Sequence, residues 1–333
     1  MRFEVGENEE GRRLDRVLKK YFREAPLSFI YRTIRKGVKV NGKRVPGETL
    51  LNVGDIVEIF LPDEQIAELG RKNTEEPLHA KKQFSVVFED DCVIIVDKPF
   101  GLLTHGDTAE RKNTLANQVV AYLAERGAYV PGGTKTFTPA PANRLDRNTT
   151  GLVVFGKTLA ATRDLALMLK GGESENAYTE KVYLTVVKGA LKAPVTLRGR
   201  MVRSSGTNVT KVLPSASDEG RAMVTEVRPI SAGKGFTLVE ARLLTGRTHQ
   251  IRAQLAEAGF PVIGDRKYGE EASNNLTAKR YGLTTQLLHA YRLTVKRGAG
   301  SLEYLEGRSF QAEPPERFRK IVEDLGCRMK MNC

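Results

Sequence analysis

Apolar stretches in this chain are short. Val93-Ile94-Ile95-Val96 and Leu152-Val153-Val154-Phe155 are four residues each and end at polar or glycine neighbours. A membrane-spanning helix needs about 18 apolar residues, so both read instead as buried strands. Helical spacing lies between and after them. Leu115, Val119, Val120 and Leu123 share one face behind a capping Thr114, with Gly127 at the closing position. The segment from Thr158 to Lys170 is expected to be helical and to end at Gly171-Gly172. Lys181–Lys188 alternates around Val182, Leu184 and Val186, Phe236–Leu244 reads as a further strand, and Thr248 is expected to cap a short helix carrying Ile251 and Leu255 and closed by Gly259. Strands and helices that do not strictly alternate favour an α+β fold, a mixed and mostly antiparallel β-sheet flanked by helices, over a doubly wound one.

The charge is unevenly spread. Of 333 residues, 53 are Lys or Arg and 40 are Asp or Glu, a net +13. Residues 11–50 hold twelve basic residues, including Arg35, Lys36, Lys39 and Lys43, against Asp15, Glu24 and Glu48, so this short stretch carries nine of those thirteen units. Such a concentration suits a polyanionic partner. Leu14, Val17, Leu18 and Tyr21 recur at helical spacing, as do Phe29, Ile30 and Ile34 after Pro26. Val38-Lys39-Val40 then alternates into Asn41-Gly42, the dipeptide of a tight hairpin turn. Two short helices feeding a small hairpin sheet are therefore expected over residues 1–62. Residues 63–83 are polar and proline-containing and read as a linker, 84–310 as a larger domain and 311–333 as a C-terminal tail. The N-terminus lacks a basic and then apolar leader, and Cys92, Cys327 and Cys333 have neither metal-ligand spacing nor an even count. A cytoplasmic protein is expected.

Neither common glycine-rich phosphate motif occurs, so ATP and nicotinamide chemistry have no support. Three polar clusters border apolar strands. Asp146 lies between Arg144 and Arg147 in Asn143-Arg144-Leu145-Asp146-Arg147-Asn148-Thr149-Thr150-Gly151, where neighbouring guanidinium groups would hold it ionised. Lys181 and Tyr183 share one strand face. Arg247 and Arg252 fall in Thr245-Gly246-Arg247-Thr248-His249-Gln250-Ile251-Arg252. Each has an ordinary structural reading: an Asp opening a turn, a core tyrosine with its hydroxyl at the rim, a surface arginine bonded to nearby carbonyls.

Two resemblances cover most of the chain. Arg13-Leu14-Asp15, Ile34-Arg35-Lys36-Gly37-Val38-Lys39-Val40-Asn41-Gly42-Lys43 and Gly54-Asp55 resemble the alpha-L RNA-binding domain, which grips structured RNA through its phosphates. Val96-Asp97-Lys98-Pro99-Phe100-Gly101-Leu102-Leu103-Thr104-His105-Gly106, Arg144-Leu145-Asp146, Lys181-x-Tyr183, the Thr245–Arg252 segment, Gly264-Asp265-x-x-Tyr268-Gly269 and Leu288-His289-Ala290, in that order, resemble the RluA family of RNA pseudouridine synthases.

The resemblance implies site-specific isomerisation of uridine to pseudouridine with Asp146 as nucleophile, Tyr183 stacked on the target base and serving as a candidate proton acceptor, and Arg247 paired with Asp146. Arg144 would enter the RNA beside a flipped nucleotide. Lys181, Arg252 and the basic quartet Arg35, Lys36, Lys39 and Lys43 complete the expected substrate contacts. The reaction breaks a C–N bond and makes a C–C bond without net loss of atoms, so neither cofactor nor metal is expected. An alpha-L module on this catalytic domain points to 23S rRNA as partner, and the Thr104-His105-Gly106 ending is nearer the C type than the D type. A monomer is expected. The alternatives are a D-type or tRNA enzyme and, from another class, a non-catalytic ribosome assembly factor. Two departures stand out: Asn143 replaces the family's usual histidine, and Thr150 its usual serine.

Overall fold

The computed structural model describes residues 1–6, 8–22, 25–62, 64–66, 81–130, 137–170, 177–203 and 210–329. Gly171, Gly172, Cys333 and most of the expected linker, 67–80, lie outside these residues. Two compact units emerge. One comprises Met1–Lys82, Ala116–Ala140 and Gly156–Thr162; the other comprises Gln83–Leu115, Pro141–Phe155 and Arg163–Cys333.

In the first unit, strand β1 (Arg2–Glu4) precedes helix α1 (Leu14–Tyr21), helix α2 (Leu27–Gly37), β2 (Val38–Val40) and β3 (Ile56–Ile59). Leu14, Val17 and Leu18 of α1 and Ile30 and Ile34 of α2 are buried in one core with Val40, Val57 and Ile59, which is the face their spacing defines. Asn41 and Gly42 both take positive φ, 50° and 77°, and Val40 and Lys43 exchange backbone hydrogen bonds across them. This is the two-residue hairpin turn expected of that dipeptide. The sheet order is β1-β3-β2, so the N-terminal residues supply a strand that their sequence does not reveal.

The remaining elements are β4 (Ser85–Glu89), β5 (Val93–Lys98), α3 (Leu115–Glu125), β6 (Ala140–Pro141), β7 (Thr150–Gly156), α4 (Leu159–Leu169), β8 (Thr179–Lys188), β9 (Val195–Arg203), β10 (Thr210–Leu213), β11 (Arg221–Gly233), β12 (Phe236–Leu243), α5 (Gln250–Glu257), α6 (Glu271–Tyr281), β13 (Leu288–Val295), β14 (Ser309–Gln311) and α7 (Glu316–Asp324). The large sheet runs β10-β9-β11-β12-β8-β13-β7-β5-β4, with β14 added to β13. The pairings of β8, β9, β10, β11 and β12 are antiparallel, and β13 pairs with β7 in parallel, His289 opposite Thr150. The fold is therefore the expected α+β class with a mixed, mostly antiparallel sheet.

Alternation along β8 divides the core. Val182, Leu184 and Val186 pack on one face with Phe236, Leu238 and Tyr291 against Phe318, Ile321 and Val322 of α7, so residues 316–325 form part of the core. Tyr183 and Val187 turn to the other face, with Val239, Ala241 and Leu288, under Ile251 and Leu255 of α5. At Gly151 the backbone of β7 passes so close to β13 that a Cβ would sit 2.2 Å from the Ala290 carbonyl oxygen, which admits only glycine there.

Candidate active site

Asp146 sits in the loop that leads into β7, and this loop is fixed from several sides. Asn143 acts as a strand partner: its Oδ1 accepts from the Val154 amide at 2.8 Å and its Nδ2 donates to the Leu152 carbonyl at 3.2 Å. Thr104 donates its hydroxyl to the Leu145 carbonyl at 2.9 Å and accepts the Leu145 amide at 3.2 Å. Lys98, wholly buried, donates to the carbonyls of Pro99, Leu102 and Arg147 at 3.0, 2.7 and 2.9 Å. Three carbonyl acceptors match the three N–H bonds of an ammonium. Burial pushes Lys98 down to about 7, and the charges of Asp146 and Asp97 pull it back up. Thr150 lies within 2.8 Å of His289 Nδ1, whose Nε2 meets the Ala312 carbonyl at 2.7 Å. A carbonyl can only accept, so Nε2 carries the proton and Nδ1 accepts the Thr150 hydroxyl. Both departures from the family pattern thus make definite hydrogen bonds.

The second wall is the loop after β12. Gln250, buried, takes the Thr245 hydroxyl at 2.9 Å and the Arg247 amide at 3.1 Å on its Oε1, and donates through Nε2 to the Val224 carbonyl and the Thr225 hydroxyl, both at 3.0 Å. Helix α5 starts one residue later than Thr248 would place it. His249 holds the cap position in the left-handed region, φ 55°, with no side-chain cap, and the Thr248 carbonyl instead accepts the Thr210 hydroxyl. The left-handed residue turns His249 towards Tyr268, whose hydroxyl lies 3.0 Å from its Nδ1.

Asp146 finds its cation on α5. Arg252 Nη1 donates to Asp146 Oδ2 at 2.8 Å. The same guanidinium grips Asp265 with two further bonds, Nε to Oδ2 at 2.6 Å and Nη2 to Oδ1 at 2.8 Å. Its plane lies against Tyr268, with Cζ 5.2 Å from the ring centroid. Asp265 is fully buried and also accepts the amides of Lys267 and Tyr268. This corrects the expected pairing of Arg247 with Asp146. Arg247 donates through Nε to the Ala222 carbonyl at 3.4 Å and lines the cavity, while Arg252, expected to contact substrate, is the ion-pair partner. The reason is helical geometry: Arg252 is buried on the inward face of α5, whereas Arg247 precedes the helix. His249 Nε2 stands 3.8 Å from Asp146 Oδ2, and burial lowers its basicity more than Asp146 raises it.

A cavity of about 360 Å³ opens at Asp146 and Tyr183, edged by Asn143, Lys181, Arg247 and His249. Its size is that of a small-molecule site, roughly 300–1,000 Å³. Burial, and then the negative charge of Asp146, push the Tyr183 phenol well above its ordinary value, so it stays protonated at neutral pH. Lys181 spans this wall, with Nζ donating to the Leu169 carbonyl at 3.0 Å and its basicity lowered by burial. Arg144 is exposed at the mouth. Arg35, Lys36 and Lys43 are exposed in the first unit, and Lys39 Nζ lies 5.6 Å from the Phe60 ring centroid there. Sequence reasoning assigned no role to Lys98, His249, Gln250, Asp265 or Tyr268. All five stand inside quoted motifs, which was the available signal. Among the described residues no cluster of His, Cys, Asp and Glu could hold a metal ion, and no helix is long and apolar enough to cross a membrane.

Known proteins place the chain in a family. Residues 92–257 match the family model described as RNA pseudouridylate synthase. The chain is 30% identical to "Ribosomal large subunit pseudouridine synthase C" of Haemophilus influenzae over 96% of its own length and 94% of that protein. It is 28% identical to "Uncharacterized RNA pseudouridine synthase YlyB" of Bacillus subtilis, over 96% of each chain. Among solved structures, "Human RNA Pseudouridylate Synthase Domain Containing 4" shares the fold, with a TM-score of 0.57 at 19% identity over 74% of this chain and 94% of that one. The chain is an isomerase and belongs to the RluA family of RNA pseudouridine synthases.

Proposed function

We propose that this protein converts specific uridines of 23S rRNA to pseudouridine, as a cytoplasmic monomer that needs no cofactor or metal, with Asp146 as nucleophile on a flipped-out nucleotide. The observation that carries the reading is the cavity lined by both Tyr183 and Asp146, the latter held by the buried Arg252. In the reaction the C1′–N1 glycosidic bond breaks, the uracil rotates, C5 bonds to C1′ and loses its proton, and N1 gains one. An ionised carboxylate near the sugar can assist the first step by attack or by abstracting a proton. Extruding the nucleotide costs a few kcal/mol, which stacking on Tyr183 and entry of Arg144 into the RNA offset. A phenol that stays protonated serves as stacking surface and hydrogen-bond donor rather than as the proton acceptor that the family resemblance raised. The N-terminal basic quartet supplies phosphate contacts, which add affinity and little sequence discrimination. Support for the ribosomal substrate comes from the relatives' names and from near-complete coverage of their length.

The test is chemical mapping of pseudouridine in large-subunit rRNA from cells with and without this gene, complemented by the parent or Asp146→Asn. Sites that vanish in the knockout and return only with the parent protein are expected. Sites restored equally by both proteins would sink the assignment of Asp146.

A further inference from the structure

In the second unit, Phe100 exposes half of its surface. A lone exposed hydrophobic residue needs no explanation, but this ring is not alone. It sits on the turn that follows β5, with one arginine over the ring and a second bonded to the turn itself. Arg317 of α7 lies over the ring, Cζ 5.8 Å from its centroid, and is braced by donating Nη2 to the Tyr281 carbonyl at 3.0 Å. Arg147, exposed, donates Nε to the Gly101 carbonyl at 3.2 Å. The turn is also coupled to the catalytic loop through one group, since the Lys98 ammonium bonds both the Pro99 and the Arg147 carbonyls. Phe100 is thereby held in fixed relation to Asp146, the residue just before Arg147.

An aromatic face bordered by guanidinium groups is the pattern by which proteins hold unpaired nucleotides: the ring stacks a base of any identity and the cations take the neighbouring phosphates. We propose that Phe100, Arg147 and Arg317 form a second nucleotide site, which stacks an unpaired base of the substrate RNA outside the cavity that receives the target uridine. The proposal rests on the reading of this protein as an enzyme acting on RNA. Its consequence is that the substrate is opened at two places, at the target nucleotide and at a neighbour parked on Phe100. A target in a loop or bulge would therefore be bound in preference to the same sequence in a continuous helix.

The chain contains no tryptophan, so Phe100→Trp installs a single reporter. Full-length parent, Phe100→Trp and Phe100→Ala proteins are titrated with a fluorescein-labelled RNA stem-loop carrying an unpaired uridine-rich loop, and anisotropy and tryptophan emission are read. The expected result is quenching of the tryptophan on binding, near-parental affinity for Phe100→Trp, and binding roughly fivefold to a hundredfold weaker for Phe100→Ala. Equal affinity of Phe100→Ala and parent, or emission that saturating RNA does not change, overturns the proposal. Pseudouridine formation is read on the same RNA. Binding that depends on Phe100 without product would overturn the proposed function and leave this site standing; product from parent and Phe100→Ala alike, at equal affinity, would do the reverse.

Discussion

Among the described residues the same device occurs twice, an aspartate held in the fork of an arginine, and the two copies serve different ends. In the first unit Asp15 takes two bonds from Arg13, Nε at 3.2 Å and Nη2 at 2.7 Å, and a third from the Tyr31 hydroxyl at 3.0 Å. Burial opposes the charge of Asp15, but Arg13 and Tyr31 outweigh it and hold the carboxyl below its usual range. The Arg13 side chain stays 41% exposed, and its remaining contact is the exposed Glu48. In the second unit Asp265 has no exposure, Arg252 has 6%, and the other ion pair is with Asp146. One fork pins a helix start; the other delivers a buried arginine to Asp146 at the cavity. Because Asp265 already balances the guanidinium, the trio of Asp146, Arg252 and Asp265 carries a formal net negative charge, as the nucleophilic role proposed for Asp146 requires.

The parallel between the forks breaks most severely at Asp146. Asp146→Asn is expected to abolish pseudouridine formation while RNA binding measured by filter retention persists, since a carboxylate adds nothing to the attraction for phosphates and its proposed role lies in the chemical step. Next comes Asp265→Asn, at a side chain with no solvent exposure. Removing one partner of a buried ion pair costs about 3–5 kcal/mol, to be read in urea unfolding. Arg252 would then be free to close fully on Asp146, and small displacements of a reacting group cost about a hundredfold in rate. A single-turnover rate that falls about that far at saturating RNA, with binding retained, is the expected signature. An unchanged rate would show that Asp265 is a structural pin like Asp15.

Much of the fold and part of the site are legible in the sequence, and what is not has physical causes. Asn41-Gly42 announces its hairpin because two consecutive positive φ angles demand such residues. Val93–Val96 and Leu152–Phe155 announce strands because central positions in a sheet bury both faces. Strands β9 and β11 stay hidden. Arg198, Arg200 and Arg221 interrupt their apolar pattern, and Pro229 sits at a bulge where the register against β12 shifts. Their pairing is settled by distant partners rather than by local propensity. At the site, Asp146 and Tyr183 are legible from motif order, but two arginines of one motif compete for Asp146. Which of them faces inward depends on where α5 begins, and a left-handed His249 moves that start by one residue. The partner that fixes the choice, Asp265, lies thirteen residues further along the chain, beyond the reach of local spacing.

Acid should separate the two units as well. Burial pushes His289 down to about 4, against the 6.5 of a free imidazole, and its bond to the Ala312 carbonyl only partly offsets this. The unfolded chain therefore binds a proton that the folded one refuses, so the stability due to neutral His289 is complete above pH 6.5 and lost as pH falls towards 4. The full span is about 3 kcal/mol. Thermal melts of the parent protein are expected to drop over that window, and His289→Gln to flatten the drop. The N-terminal unit should answer to salt instead. Replacing Arg35, Lys36, Lys39 and Lys43 by glutamine is expected to lower the slope of log K against log salt by about 3 to 4, at about 0.7 to 0.9 for each of four phosphates no longer neutralised.

The smallest effect belongs to the exposed fork. Arg13→Ala removes the counterpart of Arg252, yet it should shift the unfolding midpoint little and leave the rate on bound RNA alone. Asp15 is itself buried but keeps its bond from Tyr31, and water reaches the space that the half-exposed Arg13 vacates, so the carboxylate is only partly stranded. The contrast with Asp265→Asn then weighs burial, because the forks match in residue type, although the Nε bond is 3.2 Å in the exposed fork and 2.6 Å in the buried one. If Arg13→Ala proved as damaging to folding as Asp265→Asn, solvent exposure of the arginine could not be what distinguishes them. The difference between the two forks would then rest on their other contacts, Glu48 and Tyr31 in one, Asp146 and Tyr268 in the other.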